Sequence, residues 1–148
     1  MLRPEQIASV KGRGFLINRG TECFSGRIVC AGAVVTAADL RTISEIAEKF
    51  GSGKVTFTSR LSAEIVGIPF EQIDAACDYA AERGLYFGGT GAKIRPVTAC
   101  KGTTCVYGNY DTQALAKELH EKYYVGWANV KLPHKFKIGI GGWPDSCM

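Results

Sequence analysis

The chain has 148 residues, 46% hydrophobic and 22% charged, a balance that fits one globular domain, or a domain with a small appendage, able to bury a core. No apolar run approaches the roughly 20 residues that span a bilayer, and residues 1–10 carry Arg3 and Glu5 with no apolar segment, so a cytoplasmic protein with no membrane span is expected. The net charge of +4 is too mild for a nucleic-acid binder, which calls for a basic stripe.

In chain order, residues 14–19 read as a first strand and 27–35 as a second extended stretch. Thr36 then predicts a helix start, with Asp39 answering it as a capping box, and Leu40, Ile43, Ile46, Ala47 and Phe50 recur at helical spacing before Gly51. Residues 55–60 and 63–68 predict two strands of a hairpin turning at Leu61 and Ser62. Pro69 is placed to open a second helix, where its missing N–H costs nothing. The apolar stripe there is Phe70, Ile73, Ala76, Cys77, Ala80 and Ala81, and residues 94–98 predict another strand. This order predicts an α+β fold: a ferredoxin-like half-domain with an antiparallel sheet backed by two helices, over residues 1–97.

Residues 98–148 have another texture. A Cys/Gly-rich loop runs over residues 99–109, and Asp111 caps a helix whose stripe is read as Leu115, Leu119 and Tyr123, with Glu118, Lys122 and His120 on the solvated side. Residues 135–140 predict a last strand. This third of the chain carries most of the positive excess: residues 95–148 hold seven Lys/Arg against four Asp/Glu, which suits a small anion if the cations converge.

The six cysteines are expected to be reduced, some as metal ligands, because nothing marks the chain as secreted or disulfide-dense. Cys100 and Cys105 flank a short Gly-containing loop, a usual way to bring thiolates onto zinc or an iron–sulfur cluster. Lys135 and Lys137 alternate about Phe136, so in a strand their ammonium groups share a face about 7 Å apart, while Phe136, Ile138 and Ile140 point into the core. Arg60, on the strand face of Thr56 and Thr58, has the fork geometry for carboxylates and oxyanions, and Arg95 is placed to join it. The plain alternative for each is a solvated surface cation.

Taken together, residues 58–60 (TSR), 94–100 (IRPVTAC), 100–105 (CKGTTC), 132–138 (LPHKFKI) and 142–147 (GWPDSC) resemble the siroheme-dependent sulfite and nitrite reductases, the small single-module sulfite reductases above all. The resemblance implies that residues 98–148 are part of a small α/β module for siroheme and a 4Fe–4S cluster, incomplete at its C-terminus. It implies Cys100 and Cys105 as cluster ligands, Cys147 as the thiolate bridging cluster and siroheme, and Arg60, Arg95, Lys135 and Lys137 as the cations that meet siroheme carboxylates and the bound anion. The implied reaction is the six-electron reduction of sulfite or nitrite, fed by a donor protein such as a ferredoxin. The sequence departs from the pattern at Trp143, where the family carries its third cluster cysteine, and in four rather than five residues separating the first cysteine pair.

Two other readings compete. Cys100, Cys105, His134 and Cys147 match the ligand set of a structural zinc site. A cofactor-poor module that binds an anion or a partner is the second. Cys77 is read as core, Cys23 and Cys30 as packing, and Trp127 and Tyr110 as packing rather than cofactor contacts.

Overall fold

The computed structural model describes every residue except Met1 and Ser146. The chain divides into two compact units, Met1–Val29 with Val35–Gly91, and Cys30–Val34 with Ala92–Met148.

The first unit opens with α1 (Pro4–Lys11), a helix the sequence reading did not contain. Its start lacks a Ser, Thr, Asp or Asn at the cap; Arg3 stands there, Pro4 takes the first helical position and the Gln6 side chain accepts from the Arg3 amide. Only Val10 is buried, so the apolar period that signals a helix is nearly absent.

An antiparallel sheet follows in the order β1-β2-β4-β3, from β1 (Phe15–Ile17), β2 (Cys23–Ile28), β3 (Lys54–Phe57) and β4 (Ala63–Pro69). This is the predicted α+β class. Details differ. The second strand is already finished by Ile28, because residues 30–34 belong to the other unit. The predicted strand at residues 94–98 does not join this sheet; β1 forms its edge instead, and Phe87 makes an isolated bridge to Ile28. Gly26, opposite Phe15, is required by close approach: a β-carbon there would lie 2.7 Å from carbons of both Phe15 and Phe87.

The helix α2 (Ala37–Phe50) starts as predicted, with Thr36 and Asp39 capping each other reciprocally. Ile43, Ile46 and Ala47 are buried, whereas Leu40 at the helix start is largely exposed. Pro69 ends β4 rather than opening a helix; a 3₁₀ turn, Phe70–Gln72, intervenes before α3 (Ile73–Ala81), which buries Ile73, Ala76 and Ala80. Cys77 is half-buried rather than core, and Arg13 donates to its sulfur at 3.6 Å while pairing with Asp74 at 2.6 Å.

The second unit holds β5 (Thr98–Ala99) and β6 (Gly139–Ile140), paired in parallel, with α4 (Thr112–Leu119) in the connecting chain. A parallel pair needs such a crossover, and a helix is the usual one. Asp111 caps α4 as predicted, accepting from the Ala114 amide at 2.9 Å. Of the predicted stripe, Leu119 packs against the core of Val97, Ala99, Ala116 and Ile140, but Leu115 does not lie on the most buried face. Thr112, Ala116 and His120 are buried at four-residue spacing, and Leu115 is 36% exposed. The cause is size: Gly32, in the turn Ala31–Ala33, comes so near that its β-carbon would sit 3.2 Å from that of Ala116. A leucine cannot approach backbone that closely, so the small residues win the interface. His120, expected in solvent, is 2% exposed. It begins a π-helical extension, His120–Val125, and its ring lies 4.6 Å from that of Tyr124. Among the described residues no helix is long and apolar enough to cross a membrane.

Candidate functional site

Four of the predicted site residues, Arg95, Cys100, Lys135 and Lys137, lie on or beside one pair of extended segments in the second unit. The regular strand is shorter than the predicted 135–140, being confined to Gly139–Ile140, but its parallel pairing reaches further back. Phe136 donates to the Lys93 carbonyl at 3.1 Å and accepts from the Arg95 amide at 2.8 Å; Thr98 donates to Ile138 and Cys100 to Ile140, at 3.2 and 3.0 Å. The Ile94–Phe136 and Thr98–Gly139 pairings differ by one residue in register, a slip of the bulge kind that breaks the strand.

Alternation along this ribbon sorts its side chains. Ile94 and Phe136, directly paired, share one face, so Lys93, Arg95, Lys135 and Lys137 take the other. Neighbouring segments lie about 4.8 Å apart and alternate residues about 7 Å in regular strands, so the pairing brings the backbone positions of these four cations onto one short ribbon. Lys93, Lys135 and Lys137 are exposed and Arg95 is half-buried. The ion pairs Arg13–Asp74, Arg27–Glu64 and Arg83–Glu82 lie in the first unit and do not engage Lys135 or Lys137. Lys93 was missed by the sequence reading. Its alternation with Arg95 was visible, but its place beside Lys135 follows only from the pairing.

The opposite face corrects another expectation. Phe136 does not enter the core; it is 57% exposed. With Ile94, Tyr123, Trp127, Leu132 and Ile138 it lines an open apolar groove of about 400 Å³. Trp127 meets Tyr123 edge to face at 5.1 Å, as packing, and Tyr110 donates its hydroxyl to the Gly141 carbonyl at 2.5 Å.

Just past β5, the Cys100 loop is closed by small residues. Gly102 and Gly108 touch so closely that a β-carbon on Gly108 would overlap the Gly102 carbonyl, and a β-carbon on Gly142 would lie 3.1 Å from the Gly102 α-carbon. The Cys100 sulfur accepts from the Gly142 amide at 3.3 Å, Asn109 donates to the Gly142 carbonyl at 2.9 Å, and the buried Thr112 hydroxyl donates to the Cys100 carbonyl at 2.8 Å. Cys100 and Cys105 are half-buried thiols and Cys147 an exposed one. Met148, the neighbour of Cys147, packs over Gly139 of β6. Trp143 lies in the second loop, its ring stacked on Tyr107 at 5.2 Å and 23°. Among the described residues no three His, Cys, Asp or Glu side chains gather as a metal-binding group, and His134 is exposed.

Arg60 belongs to the first unit. It is not on the strand face of Thr56 but in the turn linking β3 and β4, where its amide and that of Ser62 donate to the Thr58 hydroxyl at 3.2 and 3.3 Å. Burial lowers its guanidinium pKa from the ordinary value.

Two family profiles match the chain: the nitrite/sulfite reductase ferredoxin-like half domain over residues 18–83 and the nitrite and sulphite reductase 4Fe-4S domain over residues 90–148. An uncharacterized protein of Methanocaldococcus jannaschii is 31% identical over 85% of this chain and 44% of its own length. The coenzyme F420-dependent sulfite reductase of that organism is 32% identical over 74% of this chain and 17% of its own. The NAD(P)H nitrite reductase of Bacillus subtilis is 27% identical, over 78% of this chain and 14% of its own. The chain thus spans less than half the length of these relatives. Among solved structures, the NirA protein of Mycobacterium tuberculosis matches with a TM-score of 0.79 at 19% identity, over 95% of this chain and 30% of that one, a likeness of fold.

Proposed function

Because this chain belongs to the family of nitrite and sulfite reductases, we propose that it serves sulfite or nitrite reduction by giving siroheme and the oxyanion a cationic seat. The observation that carries this is the ribbon face of Lys93, Arg95, Lys135 and Lys137 beside the Cys100 loop. Siroheme is a polycarboxylate, and a group of cations is the donor set it needs.

Bound there, siroheme would supply the iron at which the oxyanion is reduced by six electrons, sulfite to sulfide or nitrite to ammonia. The residues do the rest. Arg95 offers a fork of N–H donors to a carboxylate, and the lysine ammonium groups hold further carboxylates or the anion itself. The lysine Nζ groups would supply protons, two for each oxygen that leaves as water, and solvent would restore them, since Lys135 and Lys137 are exposed. Arg60, in the first unit, keeps the role the resemblance gives it, a further cation for siroheme or the anion. Electrons come from an outside donor protein such as a ferredoxin.

A four-thiolate 4Fe–4S cluster does not fit the residues present. Cys100, Cys105 and Cys147 offer three sulfurs, and Trp143, at the family's third cysteine position, cannot bind iron. This misfit favours one second reading, a cofactor-poor relative that binds an anion or a partner through the same cations. A zinc site is not supported by the exposed His134 or by any gathering of three metal-binding side chains among the described residues.

The test is an anaerobic titration of the full chain with siroheme, followed by absorbance. Saturable uptake of about one per chain is expected, weakened roughly two- to fivefold by Lys135→Ala or Lys137→Ala, as exposed charge pairs allow. Lys137→Ala should depress turnover more than siroheme content. No saturable uptake would defeat the proposal, and anion binding without siroheme would put the second reading in its place.

A further inference from the structure

Two loops of the second unit are held face to face by contacts that need no metal. The first contains Cys100, Cys105, Tyr107, Asn109 and Tyr110, the second Gly141, Gly142 and Trp143. Three hydrogen bonds join them: Gly142 amide to Cys100 sulfur, Asn109 amide to Gly142 carbonyl and Tyr110 hydroxyl to Gly141 carbonyl, at 3.3, 2.9 and 2.5 Å. Next to these bonds lies the Tyr107–Trp143 stack, 5.2 Å between centroids and only 23° from parallel. Tyr107 is 64% exposed, so its ring is not driven there by burial in a core; the indole of Trp143 is its partner.

The family resemblance makes position 143 that of a cluster-ligand cysteine. An indole is far larger than a thiol, offers only an N–H donor, and here spends its face on an aromatic neighbour. We infer that this chain does not assemble a four-thiolate cluster, and that the Tyr107–Trp143 stack ties the two loops together in its stead. The inference rests on the family reading for the role of position 143. It implies that the seat for the polycarboxylate is shaped by protein contacts alone, so the Cys100 loop keeps its form in the absence of iron.

Two measurements on the full chain decide it. After anaerobic incubation with ferrous iron, sulfide and thiol, then desalting, iron and acid-labile sulfide should fall well short of one cluster per chain. About one cluster per chain, with the paramagnetic signal of a reduced 4Fe–4S centre, would overturn the inference. Hydrogen exchange at the Asn109 and Gly142 amides should be unchanged by chelators, several-fold faster in Trp143→Ala, and near wild type in Trp143→Phe, which keeps a stacking ring. Faster exchange on chelation, or equal exchange in all three proteins, would overturn the tie. Should Trp143→Ala not fold, Tyr107→Ala removes the exposed half of the stack and is read the same way. Failure to bind siroheme would sink the functional proposal but leave these exchange rates untouched, so the two can be told apart.

Discussion

Thr112 offers the most direct test of how the Cys100 loop is positioned. Its side chain is fully buried on α4 and donates to the Cys100 carbonyl at 2.8 Å. Thr112→Val keeps shape and volume but removes the donor. The lost bond is worth about 1 kcal/mol net, and the stranded carbonyl raises the total to about 1–3 kcal/mol. Both tryptophans, Trp127 and Trp143, lie in the second unit, so tryptophan fluorescence during urea unfolding follows that unit. With a slope of about 1 kcal/mol per molar urea for so small a unit, the midpoint should drop by about 1 M or more, while Thr112→Ser, which keeps the hydroxyl, should lose less. A valine variant as stable as wild type would refute the view that this hydroxyl anchors the loop to the helix.

Two further outcomes are expected. Burial holds the His120 pKa below its ordinary 6.5, with the Glu121 charge opposing the shift. The unfolded chain therefore takes up the proton first, so stability is full above about pH 6.5 and falls as pH drops through the folded value; fluorescence-monitored urea midpoints should decline from about pH 7 to about pH 5, and His120→Phe should flatten that slope. In the first unit, Gly26→Ala forces a methyl against Phe15 and Phe87 at 2.7 Å, which should cost about 1–3 kcal/mol and lower the thermal midpoint read by far-ultraviolet circular dichroism; an unchanged midpoint would show that the rings give way freely.

Local signals were legible in the sequence and distant ones were not. The Thr36–Asp39 and Asp111 caps are decided within four residues, and the structure has both. The β3–β4 hairpin was readable because its alternation and turn are contiguous, although the clasp of Thr58 on the Arg60 and Ser62 amides, which takes Arg60 off the strand face, was not. The buried face of α4 was only partly legible: Leu119 packs on the core as read, but Leu115 gives way to Thr112 and Ala116 because Gly32, far away in the chain, rewards small residues. His120 followed the same error into solvent. Among site residues, Arg95, Lys135 and Lys137 stood out by motif, but Lys93 acquires meaning only from the pairing of its segment with Phe136. The oddity at Trp143 was plain in the sequence, yet its stacking partner Tyr107 lies on the other loop and carries no mark.

The division of the chain also sets an order of events during synthesis. The first unit has all its strands once Pro69 has left the ribosome, and its last residue is Gly91. Cys30–Val34, made early, belongs to the other unit, whose parallel ribbon cannot close before Ile140 emerges. Those five residues must wait until the chain has been made as far as Ile140, and non-local pairing of this kind is slow to form. A nascent chain exposed only as far as Gly91 would hold Cys30–Val34 without the rest of its unit.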